Sequence, residues 1–339
     1  MWSMTTVPAP KPFLPIEDQI SRLSSRGMVI DSEEEAAQWL RAIGYYRLSG
    51  YWYPFREVDR TEPGTLTDHF AAGTTFREVV GLYEFDRHLK NLLLSGLERV
   101  EIAMRSQAGY TLGSHGPLAY KDSSTFRPEF CTTANHAEWL ATAERRVKRA
   151  ARSNDATVLH HIDNYGGEIP IWVLTDVLDF SDMSMLFAGM TTADQKKIMD
   201  WFGITRRAPD PAHSRERRKR DQQRWNRNPP LANWLLNLTI VRNICAHHGR
   251  LWNRQLTPVG VAPTCHLPGF EGLPDQSERV YGTICLIAFL LNTTSPGHTW
   301  TNRVGALVKT RFADFALRSE QEMGFPVDWQ LLPLWQGKI

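Results

Sequence analysis

PPLANWLLNLTIVRNICAHHGRLWNR, residues 229–254, is the stretch whose reading decides the fold. Leu231, Leu235, Leu238 and Val241 recur at helical spacing and give a single helix an apolar face to bury. Pro230 suits the first turn, where its missing N–H costs nothing. Gly249 is expected to close the helix in a left-handed conformation. Just before that stop stand Arg242, Asn243 and His247. Asn243 and His247 are four apart and share a helix face. Arg242 lies about a third of a turn round, and its long planar guanidinium can reach the same spot.

Those three side chains suit phosphoryl transfer. Histidine takes or gives a proton near neutral pH. Arginine matches the charge and geometry of a phosphate and can stabilise a pentacovalent transition state. Asparagine can hold the histidine tautomer or a phosphate oxygen. The bland alternative is a helix end at which Arg and His meet the carbonyl dipole. His248, one residue on, is the rival histidine and a candidate lining residue. Zinc is a further alternative, through Cys245, His247, His248, Cys265 and His266, but those spacings fit no common finger. No metal and no cofactor is therefore expected, and no P-loop or GxGxxG supports nucleotide hydrolysis.

Working outward, the chain reads as mainly α. Ile16 to Arg26 is an amphipathic helix stopped by Gly27. Ser32-x-x-Glu35 is a capping box that opens a second helix through Ile43. Residues 45–53 mix aromatic rings with Arg47. Core packing is the favoured reading, and base stacking with Arg47 on a phosphate is the alternative. Residues 58–73 are polar and turn-rich and read as a loop. Thr75-x-x-Glu78 caps the longest helix, whose buried stripe is Phe85, Leu89, Leu93, Leu97, Val100 and Met104. Glu101 and Arg105 fall on another face of it as an i,i+4 pair. Residues 135–152 form a helix ending in Arg145, Arg146, Lys148, Arg149 and Arg152, either a solvated face or phosphate contacts. Pro170 opens an apolar helix, residues 180–182 break it, and further helices cover 183–188 and 191–202. Helices are also expected over 277–291 and 299–315, with an apolar strap at Trp329, Leu331, Leu332 and Trp335.

The sharpest charge anomaly is residues 206–227, with Arg206, Arg207, Arg215, Arg217, Arg218, Lys219, Arg220, Arg224 and Arg227 against few acids. It precedes the motif directly. An electrostatic funnel for RNA is the favoured reading, and a disordered solvated arm is the alternative. The whole chain carries only +2, so nucleic-acid binding has to come from such a local patch, to which Arg250 also belongs. Four scattered cysteines with no CxxC suggest reduced thiols. No apolar run is long enough to span a bilayer, and residues 1–15 lack the order of a signal peptide. They read as a short extended arm, and a cytoplasmic location with no membrane contact is expected.

The string R-N-x-x-x-H at the end of an apolar helix resembles the signature of HEPN-domain proteins. The longer VRNICAHHGRLWNR is similar to the Abi family of abortive-infection proteins, of the AbiD/AbiF type. Supporting blocks occur in the family's order: Ser25–Gly27, GYYRLSGYWYPF at 44–55, LYEFDRHLKNLLLSGLERVEIAMRS at 82–106 and PIWVLTDVLDFSDMSMLF at 170–187. The resemblance implies a HEPN-like helical bundle elaborated with N-terminal helices and irregular loops. Its expected division is an N-terminal region over 1–75, the motif-bearing core over 76–295 and a C-terminal helix and tail over 296–339. It implies that the long helix packs beside the motif helix, so that Glu101 or Arg105 lines the same cleft. It also implies a phage-defence endoribonuclease toxin with Arg242, Asn243 and His247 as catalytic residues. The 2′-hydroxyl of RNA would attack without metal, leaving a 2′,3′-cyclic phosphate and a 5′-hydroxyl. HEPN nucleases pair two motifs across a dimer. One motif here therefore implies a homodimer, restrained in healthy cells by a bound small noncoding RNA or another partner. The competing readings are a non-catalytic RNA-binding module and a HEPN-type regulator that transfers nucleotidyl groups or acts through dimerisation.

Overall fold

The computed structural model describes residues 12–337 apart from 60, 63, 133–134, 207, 209–210, 261–264, 268–273, 275–276 and the side chain of His266. The expected N-terminal arm up to residue 11 and Arg207 lie outside the described residues. Two compact units divide the chain, residues 1–87 with 311–318, and residues 88–310 with 319–339. The fold is mainly α, with two short antiparallel strand pairs among the described residues.

In the first unit, α1 (Ile16–Ser25) ends where Gly27 takes φ +93°, a backbone that glycine adopts at little cost. The α2 helix (Glu33–Ile43) starts at Ser32, whose hydroxyl accepts the Glu35 N–H at 3.2 Å. The aromatic segment forms α3 (Tyr45–Trp52), with Tyr51 and Trp52 buried and Tyr46 exposed. The Tyr51 hydroxyl donates to the buried Asp86 carboxylate at 2.7 Å. Residues 58–73, expected to be a loop, hold the second strand of an antiparallel hairpin: β1 (Arg56–Val58), at their edge, pairs with β2 (Leu66–Phe70). Phe70 alone of its strand residues is buried, so the sequence carries no alternation to reveal it. The α4 helix (Phe76–Gly113), capped by the Thr75 hydroxyl, belongs to this unit up to Arg87.

The second unit takes the rest of α4, then α5 (Pro128–Thr132), α6 (Asn135–Arg152), α7 (Ala156–Asn164), α8 (Ile171–Val177), α9 (Phe180–Gly189), α10 (Thr192–Trp201), β3 (Thr205–Arg206), α11 (Arg215–Arg227), α12 (Pro230–Ala246), β4 (Cys265–His266), α13 (Val280–Thr294) and most of α14 (Trp300–Phe312). Its core is built round α13, which is buried from Val280 to Leu291; a helix apolar on every side belongs at a centre. The motif helix α12 packs on α9 and α13, and α6 packs on α8 and α9. Leu89, Leu93, Leu97, Val100 and Met104 of α4 are fully buried. Gly109 and Gly113, one turn apart, let α8 approach α4 closely: a Cβ at Gly109 would stand 3.2 Å from the Trp172 Cα.

Four readings need correction. The helix break falls at Leu178–Asp179, and residues 180–182 are the first turn of α9. Asp179 and Asp182 close a capping box there, an Asp-x-x-Asp pattern that could have marked a start. Of the two readings of the basic stretch, the alternative of a disordered arm fails over 215–227, where α11 is capped by Ser214 and anchored by buried Trp225. The left-handed residue after α12 is His248, at φ +57°, and not Gly249. In the tail, Trp329 is buried but Leu331 is 68% exposed, so the strap is apolar on one side only.

Candidate functional site

The C-terminal end of α12 is finished by two backbone bonds, His248 N–H to the Cys245 carbonyl at 3.2 Å and Gly249 N–H to the Ile244 carbonyl at 2.8 Å. That is the Schellman arrangement, and it puts its left-handed residue at His248. His247 is the C-cap, with its N–H on the Asn243 carbonyl at 2.9 Å. Leu251 and Trp252, both fully buried, fix the direction in which the chain leaves. From α4, the ammonium of Lys90, only 5% exposed, donates to the Gly249 carbonyl at 3.1 Å. Asn243, His247 and His248 are exposed and Arg242 is half-buried.

Arg242 is held by α4. Its Nε lies 3.8 Å from a Glu101 carboxylate oxygen, and its Nη1 donates to the Asn243 side chain at 3.4 Å. The Glu101 side chain is 14% exposed and that of Arg242 39%. Glu101 also pairs with Arg105, which donates to the Leu178 carbonyl at 2.8 Å and to that of Thr175. The packing of α4 beside α12 thus brings Glu101 and Arg105 to the motif. One step further, Asp179 pairs with Arg146 at 2.7 Å and Arg149 at 2.8 Å, and Arg146 also bonds Asp182 at 2.7 Å. Burial pushes the Asp179 carboxyl upward. A hydrogen bond from Arg149 and the charges of Arg146, Arg149 and Arg242 outweigh burial and hold it below the usual carboxylate range.

The four guanidinium groups Arg105, Arg146, Arg149 and Arg242 therefore meet three carboxylates, Glu101, Asp179 and Asp182, and one positive charge is left over. Glu101, standing at the edge of the motif, orients a guanidinium that still faces solvent. A phosphate can displace so loose a partner, because a partly exposed ion pair contributes little. Among the described residues no hydrogen bond holds the His247 imidazole.

The other expected contact residues are dispersed. Arg47 is exposed on α3 in the first unit. Arg145 is exposed and bonds Thr142 at 2.7 Å. Arg146 and Arg149 are committed to aspartates, so phosphate would have to compete with those carboxylates. Arg215, Arg217, Arg218, Lys219, Arg220 and Arg224 are exposed on α11, and Arg250 is half-buried with partners of its own. Cys245 and Cys265 are buried whereas His247 and His248 are exposed, so these side chains do not converge on a zinc. Among the described residues no three His, Cys, Asp or Glu side chains gather as metal ligands. Sequence reasoning missed Lys90, Asp179 and Asp182 as members of this cluster.

No helix of the described residues is long and apolar enough to cross a membrane. The family model described as Abi-like protein matches residues 38–253, a span that begins in α2 and ends just past the motif. Comparison with curated proteins and with solved structures finds no match.

Proposed function

The chain belongs to the Abi-like family, whose name points to abortive infection, a defence against phage, and from that membership we propose that it is a metal-independent endoribonuclease toxin. The observation that carries the proposal is Arg242 oriented by Glu101, with Asn243 and His247 exposed beside it at the end of α12. RNA brings its own nucleophile. The 2′-oxygen attacks phosphorus as its proton leaves to a base. The 5′-oxygen departs and takes a proton from an acid, leaving a 2′,3′-cyclic phosphate and a 5′-hydroxyl. Arg242 lies where it can meet the charge that develops on the phosphorane. His247 supplies one of the two proton transfers. A second copy supplies the other, because one imidazole is poorly placed to serve as base and acid in a single step. Exposed apolar side chains close to the motif, Ile102 on α4 and Leu236 on α12, offer that copy a surface. A bound small RNA or another partner restrains the activity in healthy cells, and the local basic surface of α11 supports an RNA.

One observation favours a second reading, RNA binding without cleavage. The His247 imidazole has no orienting partner among the described residues, whereas a catalytic histidine is usually held by one. The two readings separate on expressing wild type, His247→Ala and His247→Gln and sequencing RNA ends. The nuclease yields new 2′,3′-cyclic phosphate ends and growth arrest, both lost in either variant. Growth arrest that survives His247→Gln, without new ends, establishes the binding reading instead.

A further inference from the structure

The α9 helix joins the motif cluster to a second feature. Asp179 at its start lies in the field of Arg242. Nine residues on, about 14 Å along a helix axis, Ala188 borders a groove of about 1050 Å³ lined also by α5, α10 and α11. Ligand pockets run from roughly 300 to 1,000 Å³, so this groove is at the large end of that range. Arg127 sits in it half-buried. Its guanidinium donates to the Gln195 side chain at 2.7 Å, to the Arg227 carbonyl at 3.1 Å and to that of Asn226. All three acceptors are neutral; the carboxylate that acts on this cation is Glu129, through its charge, and burial of the guanidinium outweighs it. Glu129 is the one carboxylate lining the groove among the described residues.

Helix α11 extends the feature. Gln223, Asn226 and Arg227 line the groove, while Glu216, Lys219, Arg220 and Gln223 line a smaller one of about 360 Å³. Gln223 is common to both. These positions are spaced three, four and seven apart, so one face of α11 runs along both grooves. Arg217 and Arg224, seven apart, lie to one side of that face and line neither groove. The groove-side face therefore presents Lys219, Arg220 and Arg227, with amide groups at Gln223 and Asn226 between them. Phe130 and the 44% exposed Met185 add apolar surface. Three cations and two amides, with Glu216 as the one carboxylate on this face of α11, stand beside an apolar wall and suit a single nucleic-acid strand, with phosphates on the cations and base faces on the apolar side chains.

We infer that this groove, with the adjoining face of α11, anchors the flank of a single-stranded RNA whose scissile phosphate lies at Arg242 and His247. The inference rests on the RNA reading above and adds where the strand runs. Helix α12 begins at Pro230, three residues after Arg227 of the groove, and carries Arg242 twelve residues further on, about 18 Å along its axis, so an RNA of three nucleotides has too few phosphates to occupy both the motif and the groove, whereas one of twelve has enough.

The test compares labelled single-stranded RNAs of 3 and 12 nucleotides binding to full-length His247→Ala protein by fluorescence anisotropy. The same protein is then measured with Lys219→Gln, Arg220→Gln and Arg227→Gln added. All three side chains are exposed, and thermal melting confirms that the variant is folded. The 12-mer is expected to bind at least tenfold more tightly than the 3-mer. The triple variant brings that ratio close to one and lowers the salt slope of 12-mer binding by about 0.7 for each phosphate no longer neutralised. A ratio unchanged in the triple variant overturns the groove while leaving the RNA reading intact. Equal weakening of both lengths overturns it too, because the charges would then act at the motif. Failure of either RNA to bind the parent protein overturns the RNA reading itself.

Discussion

His248 occupies the position at which most helices place glycine. A Schellman end needs its penultimate bond from a residue in the left-handed region, and a side chain there costs on the order of 1 kcal/mol over glycine. Gly249 is next in the chain, yet its φ is not positive. The register is set elsewhere. Lys90 holds the Gly249 carbonyl, and the buried Leu251 and Trp252 fix the exit. The chain must therefore turn one residue earlier. The motif was legible as residue types at fixed spacing, but that register was not, because it depends on a lysine 159 positions away. If His248 matters only as chain, His248→Gly should raise stability by about 1 kcal/mol, read from denaturant midpoints at constant m-value, and RNA cleavage should persist. Loss of cleavage in the stabilised variant would instead give the His248 ring a part in the chemistry. His247→Ala, at a right-handed C-cap, should abolish cleavage without that gain in stability.

The elements legible in the sequence were those with long stripes and their own caps. In α4 a capping threonine and an unbroken apolar row announce the helix, and in α12 a proline in the first turn and the row Leu231, Leu235, Leu238 and Val241 do so. The short α5 and α7, and the hairpin of β1 and β2, bury too few side chains to impose a period. The charge run of α11 hid its helix, since neighbouring like charges oppose it; the Ser214 cap and the buried Trp225 supply what offsets them. What sequence cannot display is how distant elements are tied. Asp194 is such a tie in the second unit. It is nearly fully buried at the start of α10 and accepts from Thr191 at 2.9 Å and Lys197 at 2.8 Å. It also meets His115, just past the end of α4, at 3.0 Å. Burial alone would raise its pKa, but the Lys197 and Thr191 bonds with the charges of His115 and Lys197 outweigh burial and lower it. A depressed native pKa means stability that is complete above the ordinary aspartate value, about 3.9, and lost as pH falls through that value toward the native one. Asp194→Asn should therefore lower Tm at pH 7, and the gap to wild type should narrow as melts are repeated from pH 5 to pH 3. A gap constant over that range would show that the Asp194 charge does not stabilise the fold.

For the whole molecule, charge and apolar surface assign different work to different places. A net charge of +2 gives no general attraction for nucleic acid, so the proposed RNA affinity has to come from the α11 face and the motif cluster. The apolar exposure is local as well. Ile102, Tyr110 and Trp172 border a groove of about 740 Å³ between α4 and α8, and Arg105 of the motif cluster lines the same groove. Leu236 is seven residues from Asn243 on α12 and shares its face. Large exposed apolar side chains gathered near a charged site are unusual on a monomer and suit a partner surface. Under the proposed mechanism that partner is a second copy, because the chemistry needs two proton-transfer groups and the described site offers His247 with no orienting neighbour. Light scattering should then report twice the chain mass at micromolar concentration. Cleavage per chain should fall steeply once dilution passes the dimer dissociation constant. Replacing Ile102 and Leu236 together by glutamate should move that fall to higher concentration by at least tenfold, as expected if the charges cost about 1.4 kcal/mol or more of association. A chain that stays monomeric and cleaves RNA at an undiminished specific rate on dilution would rule out the composite cleft. His247 would then need its second proton-transfer group from within one molecule, where the adjacent His248 would be the first residue to substitute.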